Sequence, residues 1–179
     1  MRLTTLAASL CCMDFRPGDS VIESQDITHG LLRLNSARGV KGRGPLIWDT
    51  ALASDAQDYA IHLGCGAVAP SRTKPGRTVY TETSAICAGQ PHKRTFESAA
   101  NFWLTAMYRP NCESEDYHNY HECMAPEADQ IGCGRSYDRD NHCVFYTVCI
   151  FSSREDRVLD DHDCEDPCPY GYHHKGCDD

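Results

Sequence analysis

Apolar residues recur along the chain in three helical registers and two strand-like runs. The first register covers about Ile27 to Arg38, with Leu31, Leu32, Leu34 and Ala37 at apolar positions, Asp26 placed to cap and Gly39 placed to end it. The second is stronger. Leu52, Ala56, Tyr59, Ala60 and Leu63 repeat at the spacing of one helical face, Asp49 or Thr50 stands at the cap, and Gly64 is a natural terminator. The third starts at Thr95, lines one face with Phe96, Ala99, Ala100, Trp103 and Met107, and stops near Pro110.

Between these helices, residues 66–94 are broken by proline and glycine and read as loop, with a short strand around Thr78 to Thr81. Residues 111–129 are polar, acidic and tyrosine-bearing without a sustained period, and read as a long ordered loop pinned by Cys112 and Cys123. Two β segments follow, Gln130 to Tyr137 and Cys143 to Phe151. The turn-forming cluster Asp138-Arg139-Asp140-Asn141 joins them, so an antiparallel hairpin is the simplest connection. Helices first and strands last predict an α+β fold rather than a parallel βαβ one.

Cysteine usage adds a compartment to this picture. Twelve cysteines in 179 residues exceed what a reducing cytosol normally carries. Zinc is the competing explanation, but structural zinc sites usually bring short Cys-x-x-Cys pairs, and the chain has none. Disulfides are therefore expected, and with them a secreted, extracellular protein. Residues 1–13, apolar from Leu3 to Met13 apart from small hydroxyl residues and cysteines, read as a short secretory signal segment. The alternative is an ordinary disordered N-terminus. Cleavage after Cys12 leaves ten cysteines to pair, namely Cys65, Cys87, Cys112, Cys123, Cys133, Cys143, Cys149, Cys164, Cys168 and Cys177. No Asn-x-Ser/Thr acceptor occurs.

Charge is uneven. Residues 152–179 hold nine acidic and three basic residues, a net of −6 out of the −9 of the whole chain. With the apolar pattern gone and Cys164, Cys168 and Cys177 present, this segment reads as an acidic, disulfide-tethered tail with no core of its own. No basic stripe offers a nucleic-acid surface, and no apolar run is long enough to span a bilayer.

The run Pro45-Leu46-Ile47-Trp48-Asp49-Thr50-Ala51-Leu52-Ala53-Ser54-Asp55-Ala56-Gln57-Asp58-Tyr59-Ala60 closely resembles the Pro-Leu-x-Trp-Asp and Ala-Gln-x-Tyr-Ala pattern of the CAP superfamily, which includes venom allergens, cysteine-rich secretory proteins and plant pathogenesis-related proteins. Upstream, Leu34-Asn35-Ser36-Ala37-Arg38 is similar to that family's His-Asn-x-x-Arg with the histidine replaced. Downstream, Ile131-Gly132-Cys133-Gly134 and the strand ending Val148-Cys149 resemble its closing hairpin. The resemblance implies a CAP domain over residues 26–151, built as a three-layer α-β-α sandwich with a small antiparallel sheet. In it Trp48 would serve as core and Asp49 as a cap.

Many members of that family gather two histidines and two glutamates around a divalent metal, and the resemblance locates the equivalent positions here. Gly-Glu-Asn falls on Thr81-Glu82-Thr83, the second glutamate on Ala106, and the histidine twelve residues before Ile131 on Asn119. The remaining histidine falls near Pro70 or Ser71. Glu82 alone survives, and one carboxylate neither holds zinc nor completes an acid–base pair. His118 and His121, beside Asn119, would with Glu82 make two histidines and a carboxylate. As loop histidines among acidic neighbours they are read as solvated, so no metal and no cofactor is expected.

The expectation is thus a secreted, disulfide-stabilised binding protein and not an enzyme, with the residual family cleft at Glu82, His118, Asn119 and His121. A lipid or sterol, or an extracellular protein, is the expected partner. Sterol is disfavoured at residues 112–118, which are acidic where lipid-binding relatives are apolar. A toxin-type channel or receptor modulator is the alternative, and a metal-dependent hydrolase ranks last.

Overall fold

The computed structural model describes residues 22–66, 76–83, 95–106, 115–141 and 143–152. The signal-like segment 1–13, the tail beyond Ser152, Pro70, Ser71, and Cys87, Cys112, Cys164, Cys168 and Cys177 lie outside them. Four helices and four strands are described: α1 (Ser24–Val40), β1 (Ile47–Trp48), α2 (Thr50–Gly64), β2 (Arg77–Thr83), α3 (Thr95–Thr105), α4 (Glu115–Met124), β3 (Gln130–Tyr137) and β4 (Val144–Phe151). The fold is α+β. One sheet in the order β1-β3-β4-β2 carries α2 on one face and α1, α3 and α4 on the other.

Strands β3, β4 and β2 pair antiparallel, as expected, with Cys133 opposite Cys149 and Val79 opposite Val148. β1 instead pairs parallel to β3, Ile47 with Gln130 and Trp48 with Ile131, so the sheet is mixed rather than purely antiparallel. A two-residue strand has no alternation to read. The Asn35 carboxamide fixes its approach by donating to Leu46 O at 3.0 Å and accepting from Leu46 N–H at 2.7 Å.

Along β2 and β4 the two sheet faces separate cleanly. Val79 and Val148 pack beneath α2 with Ala56, Ala60 and Leu63. Ile131, Cys133, Cys149 and Phe151 face the other way and join Leu34, Phe96, Trp103, Tyr117 and Tyr120 in the larger core. Trp48 is half-buried against that core, its ring 5.9 Å from Phe96. Gly132 and Gly134 bring β3 into direct contact with the α2 backbone, because a Cβ on either would collide with Ala53 or Gln57 main-chain atoms. Asp49 caps α2 as expected, its Oδ1 accepting Leu52 N–H at 2.8 Å.

Three further expectations fail. Asp26 does not cap α1, which begins at Ser24, two residues earlier. Residues 115–124 form helix α4 rather than loop. Tyr117, Tyr120 and Met124 do recur at helical spacing and are buried, but Asn119 and Glu122 are buried too, so hydropathy gives no clean face. Cys123, expected to bridge, is a free thiol fully buried in the core, where loss of solvent raises its pKa strongly. Cys133 and Cys149 do form a disulfide, across β3 and β4, and Cys143 is also disulfide-bonded.

Candidate functional site

The site positions implied by the sequence converge on α4, β2 and the end of α3. Asn119 is buried on α4, and its Nδ2 donates to Val79 O of β2 at 3.2 Å. One turn on, Glu122 is also buried, and its Oε2 accepts the Gly76 N–H at 2.8 Å, just before β2 begins. Both polar groups therefore tie α4 to the sheet through backbone, the usual way a buried amide or carboxylate is satisfied.

His118 lies one helical turn before Glu122, with its Nε2 3.8 Å from Glu122 Oε1. That nitrogen is buried and makes no hydrogen bond, although the side chain as a whole is 35% exposed. His121 is half-buried and meets the Tyr117 ring edge-on at 4.6 Å. The two histidines are thus helix residues packed on α4 neighbours, not loop residues in solvent. Glu122 went unnoticed in the sequence; its spacing of four from His118 was the available signal.

Ala106, where the resemblance places the family's second glutamate, is 1% exposed and belongs to the core beside Trp103. The backbone of Glu82 lies in β2 opposite Phe145. Among the described residues no three His, Cys, Asp or Glu side chains gather so as to hold a metal ion. What Asn119 and Glu122 contribute among the described residues is hydrogen bonding to main chain.

Two buried polar networks hold the helices that frame this region. Arg38 of α1 is fully buried and donates to four carbonyls: Gly44 at 2.7 Å, Cys123 at 2.9 Å, Ala125 at 3.0 Å and Ala128 at 2.6 Å. Two of them lie at the C-terminal end of α4, where unpaired carbonyls and the helix dipole favour a cation. Asp26 accepts the N–H groups of Phe96 at 2.9 Å and Glu97 at 2.8 Å, capping α3. Burial raises its pKa, against the opposing pull of those N–H groups and of Arg135. Arg135 reaches the same spot from β3, its Nη1 3.4 Å from Thr95 Oγ1.

A family model described as the cysteine-rich secretory protein family, CAP, matches residues 31–151, a span that holds α2, the β3–β4 hairpin and the Asn35 and Arg38 contacts just described. The chain belongs to the CAP family.

The CAP fold is also what solved structures share with it. The hookworm platelet inhibitor superposes with a TM-score of 0.54 at 15% identity, over 74% of this chain and 71% of that one. BmVAL-1 gives 0.55 at 18% identity, over 77% and 81%. NaASP2, whose crystal structure contains Zn2+, gives 0.55 at 13% identity, over 73% and 80%. At such identities the likeness is one of fold alone. Among curated proteins none matches by sequence at a significant level. No helix among the described residues is long and apolar enough to cross a membrane.

Proposed function

We propose that this chain is a secreted CAP-domain binding protein of the venom-allergen or pathogenesis-related type, and not an enzyme. The observation that carries this reading is the fate of the family's metal positions. Ala106 is sealed in the core and the Asn119 amide is spent on the β2 backbone. The Cys133–Cys149 disulfide supports an oxidising, extracellular setting. One solved structure that shares the fold is that of a hookworm platelet inhibitor. An extracellular protein, or a lipid, is the partner class that fits here.

Native mass spectrometry of secreted material, with and without reductant and chelator, tests all parts together. The expected result is a disulfide-bonded, metal-free species, either alone or carrying a co-purified lipid or protein. Zinc calorimetry near neutral pH completes it. Tight binding that Glu82→Gln abolishes would overturn the reading and restore the hydrolase.

A further inference from the structure

β4 ends where β1 begins. Ile47 lies opposite Gln130, whose C=O accepts the Ser152 N–H at 3.0 Å, so Ile47, Gln130 and Ser152 form one row across β1, β3 and the end of β4. Two strand spacings, about 10 Å, separate Ile47 from Ser152.

The turn before β1 gives this end of the sheet a mixed apolar and cationic surface. Val40 and Ile47 are 88% and 65% exposed, although both are large and apolar. Between them in sequence stand Lys41, exposed, and Arg43, half-buried. Among the described residues neither cation makes an ion pair. The Arg43 Nε is buried without a hydrogen-bond partner, and its charge lies near enough to buried Arg38 to repel it. Such a group gains from any carboxylate brought to it.

The chain carries carboxylates within reach. Residues beyond Ser152 lie outside the described ones, but their sequence matches this patch in order and in charge. Their only two aliphatic residues, Val158 and Leu159, stand directly before Asp160, Asp161 and Asp163. The six steps from Ser152 to Val158 span up to about 20 Å, twice the distance to Ile47. The five steps from Val158 to Asp163 then exceed the four from Ile47 back to Arg43.

We propose that residues 158–163 fold back as a strap over this patch, with Val158 and Leu159 against Ile47 and the three aspartates toward Lys41 and Arg43. Exposed ion pairs are individually weak. A short tether holds the segment at an effective concentration on the order of millimolar, so a weak contact is enough. Glu127 and Asp129, exposed at the same end, are the competing acids, and Asp129 already accepts the Ser152 hydroxyl at 3.0 Å. An acidic partner from outside meets the patch only by displacing the strap.

Zero-length carbodiimide coupling of the whole, dilute chain at physiological salt tests this, because it joins an amine only to a carboxylate already in contact with it. An equal mixture of nitrogen-15-labelled and unlabelled protein separates bonds within a chain from bonds between chains. Peptide mapping should find Lys41 joined to residues 160–163 of its own chain. The yield should fall severalfold at about 1 M salt, and likewise when Val158 and Leu159 are both changed to Ser. Arg43→Gln, checked for folding by circular dichroism, should lower it too. Lys41 joined only to Glu127 or Asp129, joined to nothing, or joined to residues 160–163 only in mixed-isotope products overturns the proposal. So does a yield that ignores both salt and the serine pair.

Discussion

The carboxylate of Asp26, in the first turn of α1, accepts the backbone N–H of Phe96 at the start of α3, 2.9 Å away and 70 residues on in sequence. With the Glu97 N–H at 2.8 Å it satisfies two of the orphan donors of that helix. Asp26→Ala should therefore destabilise the fold by about 1–3 kcal/mol, because it removes a cap and leaves buried donors unmet. Chemical denaturation under non-reducing conditions measures the loss. An unchanged midpoint would mean that α3 starts without this cap.

Arg38 binds further apart pieces of chain. Its guanidinium holds the carbonyls of Gly44, Cys123, Ala125 and Ala128 in a fully buried cage. Arg38→Lys keeps the charge but has a single ammonium where a planar fork reaches several oxygens, so it cannot satisfy the set. A loss of about 3 kcal/mol or more is expected, with Arg38→Met at least as severe, since each orphaned buried carbonyl adds its own cost. Near-wild-type stability for the lysine variant would show that the cage is dispensable.

Cysteine chemistry should divide the chain sharply. Cys123 is buried and its thiol is held protonated by loss of solvent, with the Glu122 charge adding to the effect. Alkylation of the native protein should leave it unmodified, and unfolding without reductant should expose it. Cys133 and Cys149 should remain unlabelled until reductant is added, because they bridge adjacent strands at opposed positions. Peptide mapping after each step reads the outcome. Label on Cys133 before reduction, or none on Cys123 after unfolding, would contradict the assignment.

What could be read in advance depended on how local each cause is. The α2 register, its Asp49 cap and the β3–β4 hairpin rest on neighbours in sequence, and all three form as expected. Asp26 misled because its side chain serves a helix 70 residues away, which no local capping rule can see. Helix α4 was hidden by buried Asn119 and Glu122, whose hydrogen bonds to Val79 and Gly76 come from a strand distant in sequence. The same distance hid the site. In the sequence Asn119 reads as a departure from the pattern that the family resemblance implies; its partner, Val79 O, comes only with the fold.

Tyr146 makes the last of these relationships measurable by pH. Its hydroxyl donates to Asp138 Oδ2 at 2.8 Å, while Asp138 Oδ1 accepts the N–H groups of Asp140 and Asn141 in the hairpin turn. Burial, then the hydrogen bond and charge of Asp138, push the phenol from 10.0 up to about 12. The folded state therefore holds this proton more tightly than the unfolded chain does. The resulting stabilisation is complete below pH 10 and disappears as the pH rises through about 12. An ultraviolet difference titration, wild type minus Tyr146→Phe, isolates this tyrosine from the other eight of the chain's nine. Its transition should fall near 12 and move down in Asp138→Asn, which removes the charge but keeps an oxygen for the turn. The shift should be partial, because burial remains. A transition at 10 in the wild type would show that the Tyr146–Asp138 pair is solvated, and the alkaline loss of stability would then need another source.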